Sequence, residues 1–325
     1  MKAAIGPSGG ALCDMPANVK KILSASRRTD IPAFYLDWFM NQIQRGRFEV
    51  VNPYNQRVKV VAATPVQVDT IVFWSKNFGP FLRGRHGERL LQMGYHLFFN
   101  FTINSTAPLL EPRLPPLEAR LEQLARLCRR FDPRWIHWRF DPICVYRTAD
   151  GCRWDNLGDF DRIARVAAQL GIRRCITSFM DHYAKIQRRT RAMDGFAFID
   201  PPVTEKVRTL RRLEKVLQPL DISLQTCCEG ALLPQLPDSS TIGGSACIPG
   251  RFLRELFGGQ LAVRRDSGQR VRAGCNCSVA VDIGDYHRHP CPHGCLFCYA
   301  NPLRPGPGRP VHRELEPAMT PRGTS

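Results

Sequence analysis

The sequence contains no apolar stretch near the roughly 18 consecutive residues that a membrane-spanning helix needs. No membrane-embedded role is expected from it. It has no internal repeat, which excludes solenoids and propellers. Its opening, "MKAAIGPSGGALCDMPANVKK", has Gly and Pro where a signal peptide has its apolar core, so a cytoplasmic protein is expected. Acid is scarce, at 29 Asp and Glu against 46 Lys and Arg, leaving a formal charge of +17.

That excess suggests either a nucleic-acid partner or arginine spread over exposed helix faces. Pairs such as Arg129-Arg130 and Arg211-Arg212 fall in helical patterns, which favours the second reading. The aromatic–basic interleaving of single-strand binders is not obvious. A small anionic substrate suits the same surface.

The 325 residues, 43% hydrophobic, suffice for one large domain or two small ones. Residues 1–18 read as a flexible leader and 302–325, rich in Pro, Gly and Arg, as a disordered tail. Between them, strand-like runs occur at 21–26, 69–75, 95–103, 135–140, 174–179 and 221–226, with a shorter one at 278–283. Many are apolar on both faces, as buried parallel strands are. The segments between them carry the helical period. Leu117, Leu121, Leu124 and Cys128 share one face, as do Phe160, Ile163, Ala167 and Leu170. Val207, Leu210, Leu213 and Leu217 form a third face, with Thr204 as its expected N-cap. The alternation predicts an α/β fold, a complete or partial TIM-type βα barrel over 19–274, followed by a cysteine-rich module at 275–301 on the barrel mouth.

Barrel closure is favoured because polar residues end nearly every strand, where such barrels build their sites. In order these are Arg27, Arg28 and Asp30, then Lys76, then Asn100, Thr102 and Asn104. Arg139 and Asp141, Ser178 and Asp181, and Gln225 and Glu229 follow. Any one of these Asp or Asn residues can be a simple helix cap. Six strands ending this way point to a polar mouth.

Thirteen cysteines are many for a chain in a reducing compartment, and Cys275, Cys277, Cys291, Cys295 and Cys298 crowd near one another. Such crowding indicates metal or iron–sulfur ligation. "CPHGCLFCYA" spaces three of them as C-x3-C-x2-C. Zinc with a fourth ligand from His287, His289 or His293 is one reading. A compact triplet on one loop instead suits three irons of a [4Fe–4S] cube with the fourth left open. Gly294 permits the tight turn, and Phe297 places an aromatic ring beside the last cysteine. Cys227, Cys247, Cys275 and Cys277 make a second possible set, for an auxiliary cluster or zinc, with Cys227 and Cys247 as ordinary buried thiols the plainer alternative. Cys128, Cys144 and Cys175 fall in core patterns.

The triplet resembles the cluster motif of radical S-adenosylmethionine (SAM) enzymes. "SASRRTDIPAFY", "DTIVFWSKN", "WRFDPI", "CNCS" and "DIGDYHRHPCPHGCLFCYAN" resemble the DUF1848 proteins, over about residues 22–301. The resemblance implies a [4Fe–4S] cluster on Cys291, Cys295 and Cys298 whose open iron takes SAM. It implies reductive cleavage of a sulfonium C–S bond, radical chemistry on a small-molecule substrate, and an electron donor such as flavodoxin or ferredoxin. Arg27, Asp30, Lys76, Arg139 and Asp141 are the expected catalytic contacts. Phe297, Arg28, Asn100, Thr102, Ser178, Gln225 and Glu229 are the expected cofactor contacts. Two departures stand out. The cluster loop follows the last strand, not the first, and "IGGSA" offers Gly243 and Gly244 without the acid of the usual SAM-binding Gly-Gly-Glu. Transfer of a 3-amino-3-carboxypropyl group to an acceptor, even a thiophilic one such as arsenite, is therefore an alternative. A nucleic-acid-modifying enzyme and a non-enzymatic iron–sulfur or zinc protein are others. If the first and last strands are neighbours, the displaced loop reaches the usual place.

Overall fold

The computed structural model describes residues 19–53 and 55–301. The expected leader, with Cys13, and the expected tail lie outside the described residues. Eight strands form one parallel sheet: β1 (Lys21–Ala25), β2 (Val68–Ser75), β3 (His96–Thr102), β4 (Ile136–Ile143), β5 (Arg174–Phe179), β6 (Ser223–Thr226), β7 (Gly243–Gly244) and β8 (Val281–Asp282). Their order across the sheet is β7-β6-β5-β4-β3-β2-β1-β8. All seven neighbouring pairs run parallel. The mixed α/β class is as the alternation predicts.

The last strand lies beside the first, with Leu23 opposite Val281 and Ser24 opposite Asp282. Closure is not observed. Among the described residues no ladder joins β7 to β8, so the sheet is open between them. Each of those strands is only two residues long, and β7 is a Gly-Gly pair with no side chains to pack. Sequence periodicity cannot register such a strand, and 278–283 shrinks to Val281–Asp282 for the same lack of length.

Strand alternation divides the sheet into two faces. Leu23, Ile71, Phe73, Leu97, Phe99, Trp138 and Leu224 point to the larger core, with Leu121, Leu124, Ile163, Ala167, Leu210, Leu213 and Leu217 from helices. Those helices are α5 (Leu117–Arg130), α6 (Phe160–Gln169) and α8 (Val203–Leu217). Pro202, not Thr204, is the N-cap of α8, because the helix starts two residues before the expected position. Two prolines fix the chain's entry there, and Thr204 sits inside the first turn. Ile22, Val72 and Phe98 point the other way and pack with Cys247, Ile248, Leu253, Leu261, Cys275 and Cys277. The segment from 245 to 280, including α9 (Gly250–Phe257), therefore covers the inner face. It is built partly from cysteines that sequence alone assigns to a separate module.

Two small sheets decorate the frame. Arg47–Val51 pairs antiparallel with Val58–Ala62, and Val145–Arg147 lies between Ala197–Ile199 and Arg153–Asp155. No helix among the described residues is long and apolar enough to cross a membrane. The arginine pairs lie on helix surfaces, with Arg129 near Glu122, Arg211 near Glu214 and Arg212 near Asp155.

Candidate functional site

A cavity of about 540 Å³ opens at the C-terminal ends of the strands. Its size is ordinary for a small-molecule site. Residues from the ends of β1, β2, β3, β4 and β5 line it, together with Cys291, Cys295 and Cys298. The strand ends and the distant triplet thus meet in one place.

Register explains how the triplet gets there. Asp282 on β8 accepts hydrogen bonds from Ser24 Oγ (3.0 Å), Ser26 Oγ (2.6 Å) and Arg27 N (2.8 Å). It fastens the end of β1 to the strand that launches the cysteine loop. Gly284 allows the close approach, since a Cβ there would lie 2.1 Å from Ser26 Oγ. Asp30 extends the link. Its carboxylate accepts from Ala33 N (3.0 Å), Ser75 Oγ (2.7 Å), Lys76 N (2.9 Å) and His293 Nε2 (2.8 Å). It therefore caps α1 (Ile31–Phe34) and joins β1, β2 and the cysteine loop. Four donors occupy it, so its observed part is positional.

The triplet loop is held on its other side by Arg189. Its guanidinium donates to the carbonyls of Leu296 (2.6 Å), Cys298 (3.1 Å) and Asn301 (2.9 Å). Gly294 takes φ +71°, the left-handed turn expected of it. The three thiols are free. Burial pushes Cys291 up to about 12 and Cys295 and Cys298 above the ordinary thiol range. Ala300 N donates to Cys298 Sγ at 3.4 Å. A free, half-buried to buried thiol triplet lining one cavity, with an amide aimed at sulfur, suits a cluster that takes thiolate ligands and displaces their protons. Among the described residues no three His, Cys, Asp or Glu side chains are already gathered as ligands of one ion. Of the histidines considered as a fourth ligand, His293 binds Asp30 and His289 packs on Trp38 and Tyr35.

Lys76 reaches the triplet. Its Nζ lies 2.6 Å from Glu111 Oε1 and 5.3 Å from the centre of the Phe297 ring. Cys295 Sγ is 3.8 Å from the same Glu111 oxygen. Burial works against the Lys76 ammonium, yet Glu111 and Cys295 hold its pKa above the usual lysine value. Glu111 was not expected here. It lies in the loop after β3, beyond Asn104, whose Nδ2 also approaches it at 3.4 Å. A lone acid in a loop whose apolar and proline residues suggest only a turn gives little signal.

Arg139 and Asp141 share a face, as their spacing predicts. Arg139 Nη2 donates to Asp141 Oδ2, and Ser178 Oγ donates to Asp141 Oδ1. Arg139 also points Nη1 at Cys247 Sγ (2.6 Å) and lies 5.3 Å over the Trp74 ring. Burial opposes its charge, but Asp141 and Cys247 raise its pKa well above the ordinary value. Arg27 lines the cavity with Nη1 buried and without a hydrogen-bond partner. Arg28 donates to the carbonyls of Val51 (3.3 Å) and Gly284 (3.0 Å), which ties loops together. Thr102 and Phe297 line the cavity as expected.

Three expected contacts lie elsewhere. Asn100 is buried beneath the cavity and donates to the Cys247 carbonyl at 3.0 Å. Gln225 lines a separate cavity of about 450 Å³ with His137 and Arg174. On a strand as short as β6, one residue decides the face, and the long 245–280 segment splits the inner face into two spaces. Glu229 accepts from Phe179 N (2.7 Å), holding the β5 and β6 loops together. Burial raises its pKa to about 7.

The second thiol set also opens on the main cavity. Cys227, Cys228, Cys247, Cys275 and Cys277 all line it. Cys227 Sγ is 3.3 Å from Cys247 Sγ and 3.8 Å from Cys228 Sγ. The neighbouring Cys227 and Cys277 thiols pull Cys247 well below the usual thiol range, with Arg139 adding to this. Cys228, outside the expected set of four, lines the cavity with them. Cys144 and Cys175 are buried in apolar surroundings and Cys128 is partly buried, as their patterns predict.

No curated protein is similar enough to this chain to count as a match. A family model described as a domain of unknown function matches residues 22–300, a span that runs from β1 through the triplet loop. The chain therefore belongs to the DUF1848 family.

Proposed function

We propose that the cavity is the active site of a radical SAM-type iron–sulfur enzyme built on a partial βα barrel. Cys291, Cys295 and Cys298 would hold the cluster. The observation that carries this reading is their convergence, from one tight loop, on a cavity lined by the C-terminal ends of five parallel strands. When bound, the reduced cluster and SAM supply one-electron cleavage of a sulfonium C–S bond, yielding a carbon radical.

The protein's own residues bind, orient and exclude water. Arg27, with Nε and Nη2 near Asp282 (3.5 Å) and Asp266 (3.9 Å), keeps Nη1 without a hydrogen-bond partner for an incoming carboxylate. The flat Trp74 ring, backed by Arg139, offers a surface for a planar group. Lys76 Nζ donates to Glu111 Oε1 beside Cys295, so a charge change at that sulfur meets a paired environment. Asp141 keeps Arg139 and Ser178 fixed across the cavity. An electron donor such as flavodoxin or ferredoxin and a small-molecule substrate complete the reading.

The test is anaerobic reconstitution with iron and sulfide, reduction, and incubation with SAM. 5′-Deoxyadenosine is expected, and Cys291→Ala abolishes it. Methylthioadenosine instead would shift the reading to aminocarboxypropyl transfer. Bound zinc, no SAM-derived product, and Cys291→Ala indistinguishable from wild type would refute catalysis.

A further inference from the structure

We infer that Cys227, Cys228, Cys247, Cys275 and Cys277 form a second metal centre, a thiolate cage for an iron–sulfur cluster that faces the same cavity as the triplet. The inference extends the proposed function but stands on separate geometry. All five cysteines line one cavity, with Cys227 Sγ 3.3 Å from Cys247 Sγ and 3.8 Å from Cys228 Sγ. They come from three segments: the end of β6, the turn after β7, and the approach to β8. An apolar core has no need of such convergence.

The frame around these thiols is built to hold them. Asn100 donates to the Cys247 carbonyl (3.0 Å), Arg265 to the Cys275 carbonyl (2.6 Å), and Asp266 N to the Cys277 carbonyl (2.8 Å). Cys227 N donates to Thr177 O at 2.8 Å. Two glycines let the outer loops touch. A Cβ on Gly274 would lie 2.8 Å from the Gly230 Cα, while Gly230 N donates to Ala273 O at 3.0 Å. Cys228 holds a left-handed backbone, φ +61°, which is costly for a residue with a side chain. With that conformation both vicinal thiols line the cavity.

Charge fits as well. Thiolate ligation leaves net negative charge, and buried charge needs partners. Arg139 contacts Cys247 directly, while Arg27 and Arg270 bear electrostatically on Cys277 and Cys228. Soft thiolate sets take zinc or iron–sulfur clusters. A structural zinc site uses four ligands and is closed. Here there is a fifth thiol, and all five open on a cavity, which favours the cluster.

The test counts iron, sulfide and zinc after anaerobic reconstitution in three proteins. These are wild type, the triple variant Cys291→Ser, Cys295→Ser, Cys298→Ser, and the double variant Cys247→Ser, Cys277→Ser. The triple variant is expected to keep about four irons and four sulfides, roughly half the wild-type load. The double variant loses that half and keeps the SAM-responsive half. A triple variant that stays folded by circular dichroism but binds zinc, or no metal, overturns the inference. A wild type that ignores SAM while the triple variant still holds its cluster supports the second centre and refutes only the function proposed above. Should either variant fail to fold, Mössbauer spectroscopy of the wild type decides. Two cluster populations, one perturbed by SAM, support the inference, and a single population overturns it.

Discussion

Asp30→Ala removes an acceptor that four donors share. The side chain caps α1 through Ala33 N, and losing a cap of this kind costs about 1 kcal/mol. Ser75 Oγ, Lys76 N and His293 Nε2 lose the same partner, and each stranded donor costs about 1 kcal/mol or more in a buried setting. Asp30 is only 5% exposed, so water replaces little of this. The expected loss is about 3–5 kcal/mol. Asp30→Asn keeps the volume and one acceptor oxygen, and about half that loss is expected. Urea titration followed by tryptophan fluorescence reads both. The His293 contact is isolated by a cycle with His293→Ala, for which coupling of about 1–2 kcal/mol is expected. An Asp30→Ala cost below about 1 kcal/mol would refute the accounting. Simple additivity with His293→Ala would refute the claim that Asp30 fastens the cysteine loop.

Arg189→Ala frees three carbonyls around Cys298, so local opening of the loop becomes easier by about 2–3 kcal/mol. Labelling of Cys298 in the unloaded protein should quicken by roughly 30-fold or more, and an unchanged rate counts against the anchor. Gly284→Ala places a Cβ against Ser26 Oγ and Cβ, and a loss of about 2 kcal/mol or more is expected in the same urea titration. A neutral result would mean that β1 and β8 can separate freely. Burial, with Arg174 and Arg139, lowers the His137 pKa to about 3, far below its unfolded value. The unfolded chain then binds the extra proton between pH 6.5 and 3, so this stabilisation is present above 6.5 and lost as pH falls. His137→Phe keeps the packing against Phe98 and Phe252 and should flatten the acid limb, by up to about 3 kcal/mol at pH 4. An identical pH profile in wild type and variant would remove His137 from the account.

Strand cores and helix faces were legible because burial follows local periods. Ile71 and Phe73 face the helices while Val72 faces inward, which any alternating strand dictates. Arg139 and Asp141 were paired by the same rule. What stayed hidden was set by contacts between distant positions. Glu111 acquires meaning only because Lys76 and Cys295 reach it from other segments. The Gly-Gly strand carries no propensity to detect. Asp30 reads equally well as a cap or a ligand contact, and only four crowded donors decide between them.

The late position of the triplet follows from the sheet. A loop's place in a parallel sheet depends on which strand precedes it and who that strand's neighbour is. β8 pairs with β1, so a loop leaving β8 shares the space above β1 and β2 with the loops they launch. Asp282 and Asp30 make that sharing specific: Asp282 binds the end of β1, and Asp30, just past β1, binds the end of β2 and His293 of the cysteine loop. The gap between β7 and β8 then has a purpose in the geometry. It admits the 245–280 segment to the inner face, bringing Cys247, Cys275 and Cys277 up to the cavity floor. A closed ring of strands would have left no room for that segment. The open edge that defeats the expectation of a barrel is what lets two thiol groups face one cavity.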